Sequence, residues 1–281
     1  MSYDPQNKVI LVTGGAGGIG SALAESLAAD GAVVIVADLN REGADSVAAS
    51  LSGTGHIGYG INLTDRSQVE GLVAFIDERF GRLDVLVNNA GMTSADRFDE
   101  RSVESIEHEL SVNLLAPLVL SRLAIPLLRK STDPRSCTTV SLGGIFPLGE
   151  TPIYTASKFG LRGAMLAIGM DLGPKGITVG SVLPSATDTP MLRQEALDGG
   201  NSLQFLDPPQ TPADVVKAFR KLLNKPKYEY YPKPSESWLV RVVMLVPSLI
   251  PKALPLFRGR GDRGMEKYLK DLEARGLITR S

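Results

Sequence analysis

The chain has 281 residues, 43% hydrophobic and 22% charged, which is enough apolar material for a large core and excludes an intrinsically disordered chain. The formal net charge is −1, so no global field draws it to nucleic acid, and none is expected as a partner. Its one cysteine, Cys137, excludes an internal disulfide framework and points to a reducing, cytoplasmic compartment.

The N-terminus, "MSYDPQNKVILVTGG", shows no basic region leading into a long apolar stretch, so no secretory signal is expected. "KVILVTG" reads as a strand closed by glycine, "GSALAESLAADG" as a helix stopped at Gly31, and "AVVIVAD" as a second strand. "HIGYGIN" is a weak third strand, "RSQVEGLVAFIDERFG" a helix and "LDVLVNNAG" a strand. Two helices are expected over roughly 102–110 and 112–129. "SCTTVSL" (strand), "YTASKFGLRGAMLAIGMDLG" (helix) and "GITVGSVLP" (strand) follow. After Pro184 the pattern loosens into a long loop with one helix, a substrate lid over about 185–212. "YEYYPKP" reads as a last strand. Strands apolar on both faces, alternating with helices, imply a parallel sheet covered on each side: a doubly wound α/β fold. Residues 1–232 are expected to form the catalytic domain, and 233–281 a helical C-terminal extension.

"VTGGAGGIGSAL" joins the first strand to the first helix. Glycines let a backbone turn sharply and approach a diphosphate, and a helix N-terminus supplies free N–H groups and a positive dipole end. The spacing Gly14-x-x-x-Gly18-x-Gly20 differs from G-x-G-x-x-G, and a tight turn would use glycine too, so context decides. Asp38 ends the second strand, where an acid can accept from ribose hydroxyls and repel a 2′-phosphate. With no Lys or Arg in the loop, this favours NAD over NADP, although Arg41 lies nearby. The other reading of Asp38 is a solvated turn residue or a helix cap.

Tyr154 and Lys158 in "YTASK" lie four apart, on one face of a helix. An ammonium beside a phenol lowers its pKa and makes an acid–base group suited to an alcohol oxygen. Alone, the pair could be a surface tyrosine packed on a lysine stem. Ser141, which ends the preceding strand in "TTVSLGG", can donate to a substrate oxygen. The glycine loop, Asn88–Gly91 and Ser141 all follow strands, and one crevice at the strands' carboxyl ends would collect them.

Together these motifs resemble the short-chain dehydrogenase/reductase family. The likeness runs from about Lys8 to Pro190 and includes "TGGAGGIG", Asp38, "NNAG", Asn113 in "SVNLLAP", Ser141, "YTASK" and Thr189 in "PSATDTPM". The resemblance implies a Rossmann-type fold and NAD(P)-dependent oxidation of an alcohol or reduction of a ketone. It implies Tyr154 as acid–base residue, Ser141 as oxygen donor, Lys158 as ribose ligand that depresses the Tyr154 pKa, and Asn113 as holder of a relay water. It implies cofactor contacts at Gly14, Gly18, Ile19, Gly20, Asp38, Asn62, Leu63, Asn89, Ala90, Gly91, Tyr154, Lys158, Pro184, Thr187 and Thr189. Asn62 stands where the family places Asp against adenine, Ser185 where it places Gly, and Gly180 where it places Asn. Asn113 and Thr189 also read as a buried amide and a helix cap. A homodimer or homotetramer is the family's usual assembly.

The two histidines, His56 and His108, lack metal-ligand spacing, no metal is expected, and no G-x-S-x-G elbow occurs. "WLVRVVMLVPSLIPKALPLF" (238–257) is apolar except for Arg241 and Lys252. Its prolines at 247, 251 and 255 argue against a single span, and Ser237 is expected to cap a short helix over 238–246 that the prolines then break up. Residues 233–281 hold ten Lys/Arg against five Asp/Glu. That suits peripheral membrane contact, while packing on the protein itself, between subunits or over the substrate mouth is the alternative. The lid offers only Arg193 to an anionic substrate, so a hydrophobic alcohol or ketone of steroid, retinol or lipid type is expected. The alternatives are a 3-oxoacyl thioester reductase and a non-catalytic NAD-binding sensor or scaffold.

Overall fold

Strands that are apolar on both faces must be covered twice. β1 (Val9–Thr13) sends Ile10 and Val12 into one core and Val9 and Leu11 into another. The structure, a computed structural model, describes residues 3–94, 97–147 and 149–279. What the sequence suggests for Met1, Ser2, Leu148, Arg280 and Ser281 lies outside the described residues.

β1 is followed by α1 (Gly18–Ala29), β2 (Val33–Asp38), α2 (Arg41–Ser50), β3 (Ile57–Gly60), α3 (Arg66–Phe80) and β4 (Val85–Asn88). Then come α4 (Val103–Leu110), α5 (Ala116–Leu128), β5 (Arg135–Thr139), α6 (Pro152–Leu172) and β6 (Thr178–Val182). The seven-stranded parallel sheet has the order β3-β2-β1-β4-β5-β6-β7, with β7 (Glu229–Tyr230) as one short edge. The order reverses between β1 and β4, which opens a crevice at the strands' carboxyl ends.

The two helices expected over 102–129 form one continuous path. A π-helical turn, Ser111–Leu115, joins α4 to α5 and carries Asn113 at its centre. Such turns occur where a side chain draws the backbone out of α-register, and Asn113 is pulled toward Met92 and Ser157.

The region after Pro184 holds α7 (Pro190–Leu197), a 3-10 turn at Ser202–Phe205 and α8 (Pro212–Asn224). α8 is not among the elements expected from sequence, although its signals are strong. Thr211 and Asp214 form a capping box, Pro212 opens the first turn, and Val215, Phe219, Leu222 and Leu223 recur on the buried side.

The tail departs furthest from expectation. α9 (Pro234–Val243) begins before Ser237, whose hydroxyl donates to the Pro234 carbonyl at 2.7 Å instead of capping a helix. After a 3-10 turn at Pro247–Leu249, α10 (Ile250–Ala274) runs unbroken through Pro255. Pro251 sits in the first turn, where an N–H has no helical partner; Pro255 forfeits one bond, at a cost of up to about 3 kcal/mol. Burial of Tyr268, Leu269 and Leu272 against Leu192, Ala196 and Phe205 offsets it, at roughly 1.5–3 kcal/mol per side chain. Gly264 permits this contact, since a Cβ there would run into the Phe205 carbonyl oxygen.

Candidate active site

At the crevice, Gly14 takes a left-handed φ of +60°, and a Cβ on it would lie 2.8 Å from Cα of Ala90. A Cβ on Gly20 would strike the Gly14 carbonyl. The loop therefore closes on itself only with glycine at these two positions. Gly17 caps α1 without a side-chain hydrogen bond, so no cap side chain claims the first-turn N–H groups. A diphosphate fits such a cradle. Thr189 flanks it: a Cβ on Gly18 would lie 3.0 Å from the Thr189 methyl. Thr189 is also the N-cap of α7, accepting from the Leu192 N–H at 3.4 Å.

The Asp38 carboxylate accepts from the Ala16 N–H and the Asn40 N–H, each at 3.0 Å. Asn40, not Asp38, caps α2. Arg41 is turned away to Asp45, with Nε 2.7 Å from the carboxylate. Asn89 ties three strand ends together: its amide donates to the Thr13 and Gly14 carbonyls at 3.1 and 3.2 Å and accepts from Thr139 at 3.0 Å. Asn62 spends its side-chain oxygen on Thr64, 3.0 Å from the N–H and 2.8 Å from the hydroxyl, and Leu63 packs into the core.

Two family departures have local causes. A Cβ at Gly180 would lie 2.5 Å from both Leu222 and the Lys227 carbonyl, so side chains are excluded there. The Ser185 hydroxyl accepts from Gln210, joining the two ends of the lid segment, and Thr187 bridges to Gln210 in the same place.

Ser141 accepts from the Gly143 N–H at 3.0 Å and is hydrogen-bonded to the Tyr154 side chain. Lys158, one turn along α6, places Nζ 5.5 Å from the Tyr154 ring centroid and 3.5 Å from the Thr139 carbonyl. A Cβ on Gly91 would lie 3.5 Å from that Nζ and 3.3 Å from Asn113 Oδ1. Asn113 is fully buried. Its Oδ1 accepts from the Met92 N–H at 2.8 Å, and its Nδ2 donates to the Met92 carbonyl at 2.8 Å and to Ser157 at 3.2 Å. Ser157 in turn donates to the Tyr154 carbonyl at 2.7 Å. Asn113 thus fixes the β4 loop against α6, with its amide engaged in both directions.

The expected lowering of the Tyr154 pKa by Lys158 is not what this arrangement gives. Burial pushes the phenol up to about 12, with the Ser141 hydrogen bond pulling the other way and the charges of Glu195 and Glu109 adding to the rise. Burial likewise pushes Lys158 down to about 8, against the charge of Glu109. Both groups are buried, and desolvation is the largest influence on each.

The sequence reading missed two buried acids. Glu109 is paired with Arg101 at 2.6 Å, both side chains fully buried, and its Oε1 is 3.5 Å from Asn113 Nδ2. Its place one helical turn before Asn113 was a usable signal. Glu195 on α7 accepts from Gln204, and burial pushes its carboxyl up. Its acidity depends on lid packing, which no motif encodes. His56 accepts from the Val34 N–H at 3.2 Å, a structural role, and among the described residues no group of His, Cys, Asp or Glu could hold a metal.

Ser141, Tyr154 and Lys158 line a mainly apolar cavity of about 400 Å³ together with Ile19, Asn89, Gly91, Pro184, Thr187 and Thr189. Val240 and Val243 of α9, and Ile250, Leu254 and Phe257 of α10, line the same cavity. Arg193 is held by Asp188 at 2.9 Å. Asp188 also accepts from Tyr268 at 2.8 Å and Arg275 at 3.1 Å, tying α10 to the lid.

The sequence model of the family described as short chain dehydrogenase matches residues 8–198. The chain is 32% identical to meso-2,3-butanediol dehydrogenase of Serratia marcescens over 221 residues, 77% of this chain and 86% of that protein. It is 32% identical to D-threitol dehydrogenase of Mycolicibacterium smegmatis (72% of this chain, 78% of that protein). It is 33% identical to the 3-oxoacyl-[acyl-carrier-protein] reductase FabG of Thermotoga maritima (66% and 76%). Levodione reductase has the same fold, with a TM-score of 0.75 at 24% identity over 83% of this chain and 98% of that one.

Proposed function

The chain belongs to the short-chain dehydrogenase/reductase family, and on that premise we propose that it is an NAD-dependent oxidoreductase interconverting a lipophilic alcohol and its ketone or aldehyde. An alcohol/ketone oxidoreductase with a nicotinamide cofactor follows from the family; NAD and the lipophilic substrate are the finer reading. NAD, when bound, supplies the hydride acceptor. Gly14, Gly18, Ile19 and Gly20 would hold its diphosphate, Asp38 its adenosine ribose, and Asn62 and Leu63 the adenine side. Asn89, Ala90, Gly91, Pro184, Thr187 and Thr189 would line the nicotinamide end.

In this reading Tyr154 takes the proton from the alcohol oxygen, or returns it to the carbonyl, while Ser141 donates to that oxygen. Lys158 keeps a positive charge beside the phenol, and Asn113 holds the surrounding backbone in place. The acid at Asp38 and the commitment of Arg41 to Asp45 support NAD over NADP.

The observation that carries the substrate class is the shared cavity: apolar side chains of α9 and α10 wall the space above Ser141 and Tyr154. Arg193, the lid's one cation for an anionic substrate, is spent on Asp188. The family match ends at residue 198, before this tail, so the small polyols in the relatives' names do not fix its contribution. Residues 1–232, with the lid at 185–212, act as the catalytic unit, and 233–281 as an extension that shapes substrate access. Leu115 and Val119, exposed on the α4–α5 path, support a homodimer or homotetramer. The setting is the cytoplasm. A 3-oxoacyl thioester reductase is the second reading, favoured by the likeness to FabG; it requires turnover of acyl thioesters with NADPH.

The test is NADH formation across sugars, short diols, long-chain alcohols, sterols and retinol, with NADP in parallel. Turnover of the lipophilic alcohols with NAD is expected. Activity confined to small polyols, or to acyl thioesters with NADPH, would overturn the reading.

A further inference from the structure

We propose that the outer face of α9, the Pro247 turn and the start of α10 docks on an anionic lipid bilayer, setting the mouth of the active-site cavity against the lipid. This segment is apolar on both sides. Val240, Val243 and Leu254 face the cavity, whereas Trp238, Leu245 and Leu256 are 67%, 79% and 81% exposed. A helix that is apolar all round needs a second covering surface, and nothing in the chain covers this one among the described residues.

Charge says what that surface is. Lys252, Leu256, Arg260, Arg263 and Lys267 follow one another at spacings of four, four, three and four, so they form one exposed stripe along α10. Among the described residues Lys252, Arg263 and Lys267 make no salt bridge. Residues 233–281 carry ten Lys/Arg against five Asp/Glu in a chain whose net charge is −1, so the positive excess is confined to this arm. A second copy meeting the arm across a two-fold axis would set these cations against themselves; an anionic headgroup layer attracts them.

The backbone of the tip suits a dry interface. The N–H groups of Met244, Leu245, Val246, Leu249 and Ile250 are all bonded within the tip, and Pro247 and Pro251 have none to leave unpaired. The arm lies on the bilayer without crossing it. Among the described residues the one helix long and apolar enough to span is Val103–Leu128, which packs Leu120, Ala124, Leu127 and Leu128 into the core.

Docking is independent of the reaction. Only the entry of a lipid-dissolved alcohol between α9 and α10 rests on the substrate class proposed above.

The test is co-sedimentation of the full chain with vesicles of phosphatidylcholine, with and without phosphatidylserine. The wild type is expected to pellet with the anionic vesicles, and added salt should weaken binding. Leu245→Ser with Leu256→Ser, and separately Arg263→Glu with Lys267→Glu, should each lower the partition coefficient about tenfold or more. Both pairs are exposed and outside the cavity, so turnover of a water-soluble alcohol should be unchanged and will report a folded enzyme. Wild type left in the supernatant with both vesicle types would overturn docking. So would a loss of dimer in the Leu245→Ser/Leu256→Ser variant with no change in vesicle binding, because the face would then cover a second copy. Absent vesicle binding with retained turnover of a detergent-solubilised alcohol would sink docking and leave the substrate reading; vesicle binding without that turnover would do the reverse.

Discussion

The carboxyl edge of the sheet and the C-terminal arm meet at one cavity but are built by opposite means. At the sheet edge each functional side chain is held by hydrogen bonds: Asn89 spans three strand ends, Asn113 clamps Met92 to Ser157, and Ser141 accepts from Gly143. The arm contributes to the cavity only apolar surface, and it is fastened by the contacts of Tyr268, Leu269 and Leu272 and by two hydrogen bonds to Asp188, from Tyr268 and Arg275. Hydrogen-bond geometry fixes an atom to within fractions of an ångström, which proton transfer needs. Apolar contact tolerates exchange of shape, which substrate choice needs. Chemistry and selectivity are therefore separable, and substitutions should divide along that line.

The largest effect belongs to the sheet edge. Tyr154→Phe removes the proton carrier and should lower kcat by about 10²- to 10⁴-fold for every substrate. NAD affinity, followed by calorimetry, should be largely kept. Loss restricted to lipophilic substrates would break the separation.

pH should act on the same region. Alcohol oxidation needs the Tyr154 phenolate, and burial has raised that pKa to about 12, so oxidation should accelerate as pH rises from neutral. Reduction needs the protonated phenol, present throughout, and both directions need the Lys158 ammonium, which is lost as pH rises through about 8. Reduction should be flat below that point and fall above it, whereas oxidation should climb toward it. Parallel pH profiles in the two directions would contradict these assignments.

The arm should show smaller and selective effects. Leu254→Asn removes apolar surface from the cavity wall, worth roughly 1.5–3 kcal/mol for a buried leucine. kcat/KM for a long-chain alcohol should fall about tenfold or more while that for a short alcohol barely moves. An equal loss for both would place Leu254 in the catalytic geometry instead.

The smallest effect concerns how the arm is held. Burial works against the charge of Asp188, but hydrogen bonds from Arg193, Tyr268 and Arg275 win and hold its carboxyl below the usual carboxylate range. The sign follows from linkage: this stabilisation is present above the unfolded pKa, near 4, and is lost as pH falls through the lower folded value. Asp188→Asn should cost about 1–3 kcal/mol at neutral pH, read as a lower Tm. An unchanged Tm, with unchanged protease resistance at α10, would show that apolar contact holds the arm unaided.

The same division explains what the sequence disclosed. The doubly wound sheet was legible because its strands are short apolar runs between glycine turns. Ser141, Tyr154 and Lys158 were legible because strand ends and helical spacing place them together. The π-helical turn at Asn113 was not, since it arises from tertiary hydrogen bonds to Met92 and Ser157. Nor was the buried Arg101–Glu109 pair, whose members meet only after α4 is placed. The unbroken α10 was hidden by a sound local rule: proline disfavours helix interiors, but one lost bond at Pro255 is outweighed by the core that α10 shares with α7. The rise of the Tyr154 pKa was not legible, because spacing places Lys158 near the phenol but does not show that the phenol is buried.

The most direct measurement is kcat/KM for NAD-dependent oxidation of unbranched primary alcohols of increasing length. If Tyr154 acts at the floor of an apolar cavity walled by the arm, each added methylene should raise kcat/KM by about fourfold, the equivalent of ~0.8 kcal/mol, until the cavity is filled. A flat or falling series would contradict it.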